Sequence, residues 1–156
     1  MRQDIIEGVK TKKLKWLRDD RGRLMEILRN DDEVFAGFGQ TYVTAVLPGV
    51  VKGWHFHQYQ DDTFAPISGS VRVGLYDARE HSPTKGAVAE YRLTAEEPFL
   101  LQVPRGVVHG FECIGDVEAV VLNIPNRPYN RQNPDELRMD PFKNDIPFKW
   151  NATRGG

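Results

Sequence analysis

Hydrophobic side chains fall in short segments along the chain, each bounded by glycine, proline or polar residues. In residues 70–76, valine and leucine occupy every second position, which is the period of a β-strand with one buried face. Similar apolar segments follow one another closely at residues 13–17, 23–28, 40–47, 50–51, 63–67, 99–103 and 119–124. Short strands at such spacing are typical of sandwiches and closed barrels, so the pattern predicts an all-β protein.

The other segments are expected to be turns or irregular chain. Glycine and proline account for 14 and 10 of the 156 residues, which disfavours a helix bundle. Only residues 134–138 favour a helix, of barely one turn. Residues 126–150 contain several prolines and show no strand period, so we expect an extended C-terminal arm, packed over the barrel through Phe142, Ile146, Phe148 and Trp150. Residues 151–156 are expected to be frayed.

Length and composition fit one domain over residues 1–156, with 40% hydrophobic and 28% charged residues. The formal net charge of -1 gives no electrostatic reason to expect nucleic acid or an anionic membrane as a partner. No apolar run is long enough to span a bilayer.

The one cysteine, Cys113, cannot form an intramolecular disulfide, so we expect a buried structural thiol and a cytoplasmic protein.

Two histidine motifs carry the chemical signal of the sequence. His55 and His57 lie two residues apart on a predicted strand and therefore point the same way. His109 follows a Pro-x-Gly turn at the start of a later strand. Together with Asp62, this pattern resembles the cupin barrels, in which such residues meet inside a double-stranded β-helix, or jelly roll. Neutral imidazoles and a carboxylate there can bind a divalent metal, or one histidine can act as a base without a metal.

Other segments narrow the resemblance to the dTDP-4-dehydrorhamnose 3,5-epimerase family of cupin-fold nucleotide-sugar enzymes. The first is residues 20–26, which contain the Arg-Gly pair and the glutamate of that family's opening motif. Motif order and spacing then agree over most of the chain, in residues 38–42, 50–55, 75–79, 82–84, 104–111, 140–142 and 145–150. The resemblance therefore covers nearly the whole chain.

The resemblance implies a role for each matching residue. His55 matches the general base that removes a proton next to a 4-keto group, while His109 and Lys52 match groups that face the developing oxyanion. Arg21 and Lys52 match positions that hold the diphosphate. The full predicted substrate-binding set is Arg21, Glu26, Gln40, Tyr42, Lys52 and His57.

Two features depart from the family. The family's acid is a tyrosine thirteen residues after the second-motif histidine, and Leu122 stands at that position. The family also pairs its base with an aspartate beyond the last tryptophan, and this sequence has no such segment after Trp150. Tyr42, Tyr59 and Tyr129 are candidates for the acid, and Asp61 and Asp62 are candidates for orienting a histidine.

The leading hypothesis is a metal-independent epimerase, without a cofactor, that acts on a nucleotide-linked 4-keto-6-deoxy sugar. A second hypothesis is a metal-dependent cupin that uses His55, His57, Asp62 and His109. A third is a non-catalytic module that binds nucleotide sugars.

The resemblance also implies a homodimer in which Arg21 or Glu26 lies near the partner's substrate site. The alternative is a monomer whose C-terminal arm covers the open sheet edge.

Overall fold

The computed structural model describes residues 5–156, which form β-strands and connecting turns without an α-helix. Within this range no helix is long and apolar enough to cross a membrane. The first four residues of the predicted domain lie outside the described part. The strands are β1 (Lys10–Lys13), β2 (Trp16–Asp19), β3 (Gly22–Met25), β4 (Tyr42–Val46), β5 (Val50–Phe56), β6 (Asp62–Ser68), β7 (Ser70–Asp77), β8 (Val88–Thr94), β9 (Phe99–Val103), β10 (Val107–Cys113), β11 (Ala119–Asn123), β12 (Leu137–Arg138) and β13 (Arg154–Gly155).

Two sheets form the body of the molecule. The five-stranded sheet has the order β1-β9-β6-β11-β4, and the six-stranded sheet has the order β12-β5-β10-β7-β8 with β13 beside β5. All of these pairs are antiparallel except β13 with β5. Strands β2 and β3 form a separate hairpin.

The apolar faces of the two sheets share one core. Val73 and Leu75 on β7 are 1% and 0% exposed, and they belong to the same cluster as Leu101 on β9 and Val121 on β11. Buried residues alternate with more exposed ones along β8 and β11 and over most of β7, which explains the period of two in the sequence. The predicted all-β fold, with two sheets around one core as in a cupin barrel, is confirmed.

The C-terminal part of the chain differs from the expectation. The predicted helix at residues 134–138 is wrong, because Leu137–Arg138 pairs with β5 and Asp135 accepts hydrogen bonds from the backbone of residues 58–60. The predicted fraying of residues 151–156 is also wrong. Arg154–Gly155 pairs with β5, and the buried Ala152 donates its backbone N–H to Glu112 Oε2 at 2.7 Å.

Aromatic packing attaches the segment between β12 and β13. The rings of Phe148 and Trp150 lie 5.4 Å and 4.6 Å from that of the fully buried Trp54 on β5. Phe142 is 47% exposed, so this residue does not anchor the segment as expected. Because β12 and β13 are sheet strands, part of the predicted arm belongs to the barrel itself.

The N-terminal region contains an edge strand followed by a projecting hairpin. The predicted strand at residues 13–17 is interrupted, since β1 ends at Lys13 and β2 begins at Trp16. Strand β1 pairs with β9 at one edge of the five-stranded sheet. The indole N–H of Trp16 donates to the Ala95 carbonyl at 2.9 Å and attaches the hairpin to the barrel. Arg21 lies at the tip of the hairpin, in the turn between β2 and β3.

Candidate active site

Two facing glycines bring β5 and β10 close together. A Cβ atom on Gly53 would lie 2.7 Å from the Gly110 Cα, and one on Gly110 would lie 2.9 Å from the Gly53 Cα. A larger residue at either position would therefore push the strands apart. The resulting register places His55 directly opposite His109, with ring centroids 6.4 Å apart. The two histidine motifs thus meet in space, as the sequence predicts.

Residues from both sheets line an inner cavity of about 320 Å³. A larger outer cavity of about 570 Å³ adjoins it, since Tyr42, His57 and Glu136 line both. The inner cavity is therefore open to a neighbouring space that can take the rest of a large ligand. Its polar walls include Lys52, His55 and His109 from the six-stranded sheet and Tyr42, Asp62 and Asn123 from the five-stranded sheet.

Asp62 is the buried centre of a hydrogen-bonded network. Its side chain accepts from Gln60 Nε2 at 2.7 Å, and its Oδ2 lies 3.0 Å from His57 Nε2 and 3.2 Å from His109 Nε2. The Nδ1 atoms of the two histidines face backbone carbonyls, that of Asp135 for His57 and that of Val107 for His109, the latter at 3.0 Å. Both nitrogens of His57 and both of His109 are therefore engaged.

The network sets the charges of its members. Burial opposes ionisation of Asp62, but the hydrogen bonds from His109 and His57 outweigh it and hold the pKa of Asp62 far below its ordinary value. Burial likewise opposes the charge on His57, but the hydrogen bond and negative charge of Asp62 raise the pKa of His57 to about 9. At neutral pH this part of the site is a buried ion pair.

His55 has the opposite character. Burial, reinforced by the neighbouring His109, lowers the pKa of His55 to about 4, so the imidazole is neutral at pH 7. Its Nε2 atom is buried and has no hydrogen-bond partner among the described residues. His55 also lines the inner cavity, and a neutral imidazole there is able to accept a proton.

Lys52 is a cationic side chain in the same cavity as this base, as is Arg138. Lys52 lies on the same strand as His55 and lines the same cavity. Its Nζ donates to Thr44 Oγ1 at 3.1 Å. An ammonium group carries three donors, so this bond leaves the others for an oxygen in the cavity.

The predicted metal set of four residues is not brought together as expected. In the described part of the chain, ligand atoms of His57, Asp62 and His109 lie within 4.8 Å of one another, and His55 does not belong to this group. The two imidazoles and the carboxylate would suit a divalent transition metal. In the structure these same atoms bond directly to each other, so the network is complete without an ion.

The remaining predicted residues divide into two groups. Gln40 and Tyr42 line the outer cavity, as expected for substrate-binding residues. Arg21 and Glu26 line neither cavity of their own chain. The Arg21 side chain is 85% exposed and pairs with Asp19, while the Glu26 side chain is 60% exposed and faces Arg29.

The two candidate aspartates also separate. Asp62 orients His57 and His109, whereas Asp61 binds the guanidinium of Arg105 at 2.9 Å and no histidine. The carboxylate of Asp61 also accepts from Asn126 Nδ2 at 3.0 Å. Asp61 therefore ties together two loops and lies outside the histidine network.

Three residues outside the predicted site also line the inner cavity: Asn123, Glu136 and Arg138. Leu122, the residue at the family's tyrosine spacing, packs instead with an apolar cluster that includes Ala65 and Leu100. Strand alternation then turns Asn123 towards the cavity. The alternation of inward and outward residues along 119–123 predicts that Asn123 points inward. No local pattern indicates Glu136 or Arg138, which β12 brings next to β5.

Comparison with known proteins agrees with this geometry. The family model described as dTDP-4-dehydrorhamnose 3,5-epimerase matches residues 3–154. The spore coat polysaccharide biosynthesis protein SpsL of Bacillus subtilis (strain 168) is 39% identical over 95% of this chain and 98% of that protein.

Solved structures give the same result. The dTDP sugar isomerase from Desulfovibrio desulfuricans G20 superposes with a TM-score of 0.88 at 33% identity, over 96% of this chain and 94% of that one. NovW, a 4-keto-6-deoxy sugar epimerase from the novobiocin gene cluster of Streptomyces spheroides, superposes with a TM-score of 0.84 at 25% identity, over 96% and 78%. The cavity, its histidines and these matches together show that the chain belongs to the dTDP-4-dehydrorhamnose 3,5-epimerase family of nucleotide-sugar epimerases.

Proposed function

We propose that this protein epimerises a nucleotide-linked 4-keto-6-deoxy sugar, by removing a proton from a carbon next to the ketone and returning one to the opposite face. The ketone acidifies those hydrogens because the charge left behind moves to its oxygen. The observation that carries the proposal is the neutral His55, which has no hydrogen-bond partner for its Nε2 atom among the described residues and shares the inner cavity with Lys52. NovW, which has the same fold, is described as a 4-keto-6-deoxy sugar epimerase.

His55 is the general base in this proposal. Burial lowers the pKa of His55 to about 4, which keeps the imidazole unprotonated at working pH. The same low pKa makes His55 a weak base. The enolate that forms must therefore be strongly stabilised by another group.

Lys52 supplies that stabilisation. Its ammonium carries donors beyond the one used by Thr44 and stands in the same cavity as His55, where a preorganised cation is most effective against a developing oxyanion. The predicted oxyanion role of His109 is less favoured, because both of its nitrogens are already engaged by Asp62 and the Val107 carbonyl. We assign to His109 the role of positioning His55, which lies opposite it on the neighbouring strand.

The outer cavity takes the nucleoside diphosphate. It is several times larger than a phosphate group, and it opens into the inner cavity through shared walls. Arg127 contributes a guanidinium, which lies 5.8 Å from the centre of the Tyr59 ring, so a cation and an aromatic face are both available. Gln40 then contacts the ligand in the outer cavity, and Tyr42 and His57 contact it where the two cavities join.

We further propose a homodimer in the cytoplasm. Arg21 and Glu26 are exposed on a projecting hairpin outside both cavities of their own chain, so they would act in substrate binding only across an interface. A two-fold pairing would bring one hairpin to the partner's outer cavity. The free thiol of Cys113 is consistent with a reducing compartment.

Hydrogen exchange tests the proposed reaction. The wild-type protein is incubated in heavy water with dTDP-4-keto-6-deoxyglucose, and deuterium at C3 and C5 is followed by NMR and mass spectrometry. We expect incorporation by the wild type, none by His55→Asn, and normal incorporation by the control His81→Gln, since His81 is exposed and lines neither cavity. Equal incorporation by His55→Asn would refute the role of His55.

The same samples separate the alternatives. Saturable nucleotide-sugar binding without exchange at any carbon would favour a binding module. Exchange that disappears on chelation and returns with Mn, Fe, Ni or Zn would favour the metal-dependent cupin, with the metal held by His57, Asp62 and His109.

A further inference from the structure

Inversion at carbon needs a second proton carrier on the face opposite the base. His55 and Lys52 both lie on β5 of the six-stranded sheet, so the carrier is expected on the five-stranded sheet that forms the other wall. Among the described residues of that sheet, Tyr42 and Thr44 bring hydroxyl groups to the inner cavity. A phenol is a far stronger acid than an aliphatic hydroxyl, so Tyr42 is the better proton donor of the two.

A neighbouring amide holds this phenol in a defined way. Tyr42 on β4 and Asn123 on β11 are direct cross-strand partners, and Asn123 Nδ2 lies 2.9 Å from the Tyr42 hydroxyl oxygen. Asn123 Oδ1 accepts the backbone N–H of Thr63 at 3.1 Å. That bond fixes the orientation of the amide, because only its oxygen can meet an N–H donor. The phenol oxygen therefore accepts from Asn123 and keeps its own hydrogen for another partner.

We propose that Tyr42 is the acid that returns the proton to carbon in this epimerase, and that Asn123 positions it. This inference rests on the proposed function. His55 takes the proton from a carbon next to the ketone, and the C–H electron pair moves into the enolate with its charge on oxygen. The Tyr42 O–H bond then breaks, a C–H bond forms on the opposite face, and the enolate electrons restore the ketone. Solvent carries the proton of His55 back to the Tyr42 phenolate.

The protonation states of His55 and Tyr42 suit their roles as base and acid. Burial and the negative charge of Asp62 raise the pKa of Tyr42 to about 12, and the pKa of His55 is about 4, so at neutral pH the phenol is protonated while the imidazole is neutral. The Asn123 amide donor also stabilises the phenolate that forms on proton transfer. Tyr42 as a whole is 44% exposed, in keeping with its place where the two cavities join, and solvent can reach it there for the return of the proton.

The other candidates are less well placed. Tyr59 and Tyr129 line the outer cavity and not the inner one. Leu122, at the spacing where the resembled family has its tyrosine, packs in the apolar cluster and has no proton to donate. The phenol on this wall of the cavity is therefore that of Tyr42 on β4, whose cross-strand partner Asn123 is the residue after Leu122.

The experiment compares exchange with inversion in heavy water. We expect Tyr42→Phe to form epimer at least 100-fold more slowly than the wild type while it still exchanges the substrate hydrogen with retained configuration, because His55 remains. His55→Asn loses both exchange and inversion. The matched control Tyr76→Phe removes a phenol on β7, outside both cavities, and leaves both rates unchanged. Asn123→Ala slows inversion more than exchange, as a positioning residue should.

The outcomes are distinct. Tyr42→Phe that inverts at the wild-type rate overturns the role of Tyr42 and leaves the proposed function intact. Tyr42→Phe that loses exchange and inversion together, while binding dTDP and unfolding as the wild type does, also overturns it, because Tyr42 would then act on the first proton. A wild-type protein without any exchange overturns the proposed function and this role with it.

Discussion

The buried ion pair between His57 and Asp62 makes folding stability depend on pH in a window that can be calculated. His57 is 8% exposed, and Asp62 raises its pKa from 6.5 to about 9. Because the folded state holds this proton more tightly than the unfolded chain, the stabilisation is complete below pH 6.5 and is lost as the pH rises through about 9. The perturbation that removes it is His57→Gln.

The magnitude follows from the same two values. Each pH unit between them corresponds to about 1.4 kcal/mol, so the pair contributes about 3 kcal/mol to the free energy of unfolding below pH 6.5. Asp62 does not titrate in this window, since its pKa lies far below its ordinary value. Two other groups face His57: the backbone carbonyl of Asp135, and His109, which shares the carboxylate of Asp62. Both are retained in the variant.

Urea denaturation at a series of pH values from 6 to 10 measures the effect. We expect the wild type to lose about 3 kcal/mol of unfolding free energy across the window, and His57→Gln to lose much less. The exposed His81 gives a matched control, and His81→Gln should follow the wild-type curve. If His57→Gln and the wild type give parallel curves, the buried ion pair does not exist as described.

Three further predictions concern activity. The rate of exchange should fall only as the pH approaches about 4, not at 6.5, because burial lowers the pKa of His55, and a pH–rate profile measures this. Lys52→Met should reduce kcat by about 100- to 1000-fold with a small change in KM, as expected on removing an oxyanion donor; a change in KM alone would contradict that role. Arg21→Ala should raise KM, and mixing it with His55→Asn should restore wild-type KM in hybrid dimers if Arg21 acts in the partner's site. An unchanged KM for Arg21→Ala would remove Arg21 from substrate binding.

The sheets were largely predictable because their signal is local. Strand β7 alternates buried and outward residues except at Gly74, which Phe148 and Trp150 cover, and its limits agree with the pattern within one residue. Strand β8 is absent from the predicted strands, because its inward positions include the small Ala89, and the charged Glu90 and Arg92 interrupt the apolar segment. Pairing with β7 supplies the order that the segment's composition does not indicate.

The site was predictable where the two histidine motifs carry it. His55, His57 and His109 line one cavity, as the cupin resemblance implies, because β5 pairs with β10 and brings the two motifs together. Asp135 misled the helix prediction, since a carboxylate after proline also suits a helix start, whereas here it accepts from the backbone of residues 58–60. That contact depends on a long-range approach that no local pattern contains.

Two histidines separated by one residue on the chain thus have opposite charge states for different reasons. Asp62 pairs with His57, which becomes cationic, whereas burial keeps His55 neutral, and the neighbouring His109 and His57 add to that effect. Asp62→Asn should raise the pKa of His55 only partway from about 4 towards 6.5, because the small effect of the cationic His57 is lost with its partner while burial, the largest cause, remains. NMR titration of the His55 ring protons, with the acid limb of the pH–rate profile as a second readout, measures the shift. A pKa for His55 that stays near 4 in Asp62→Asn would show that burial alone keeps the base neutral, and that the network only shapes the cavity.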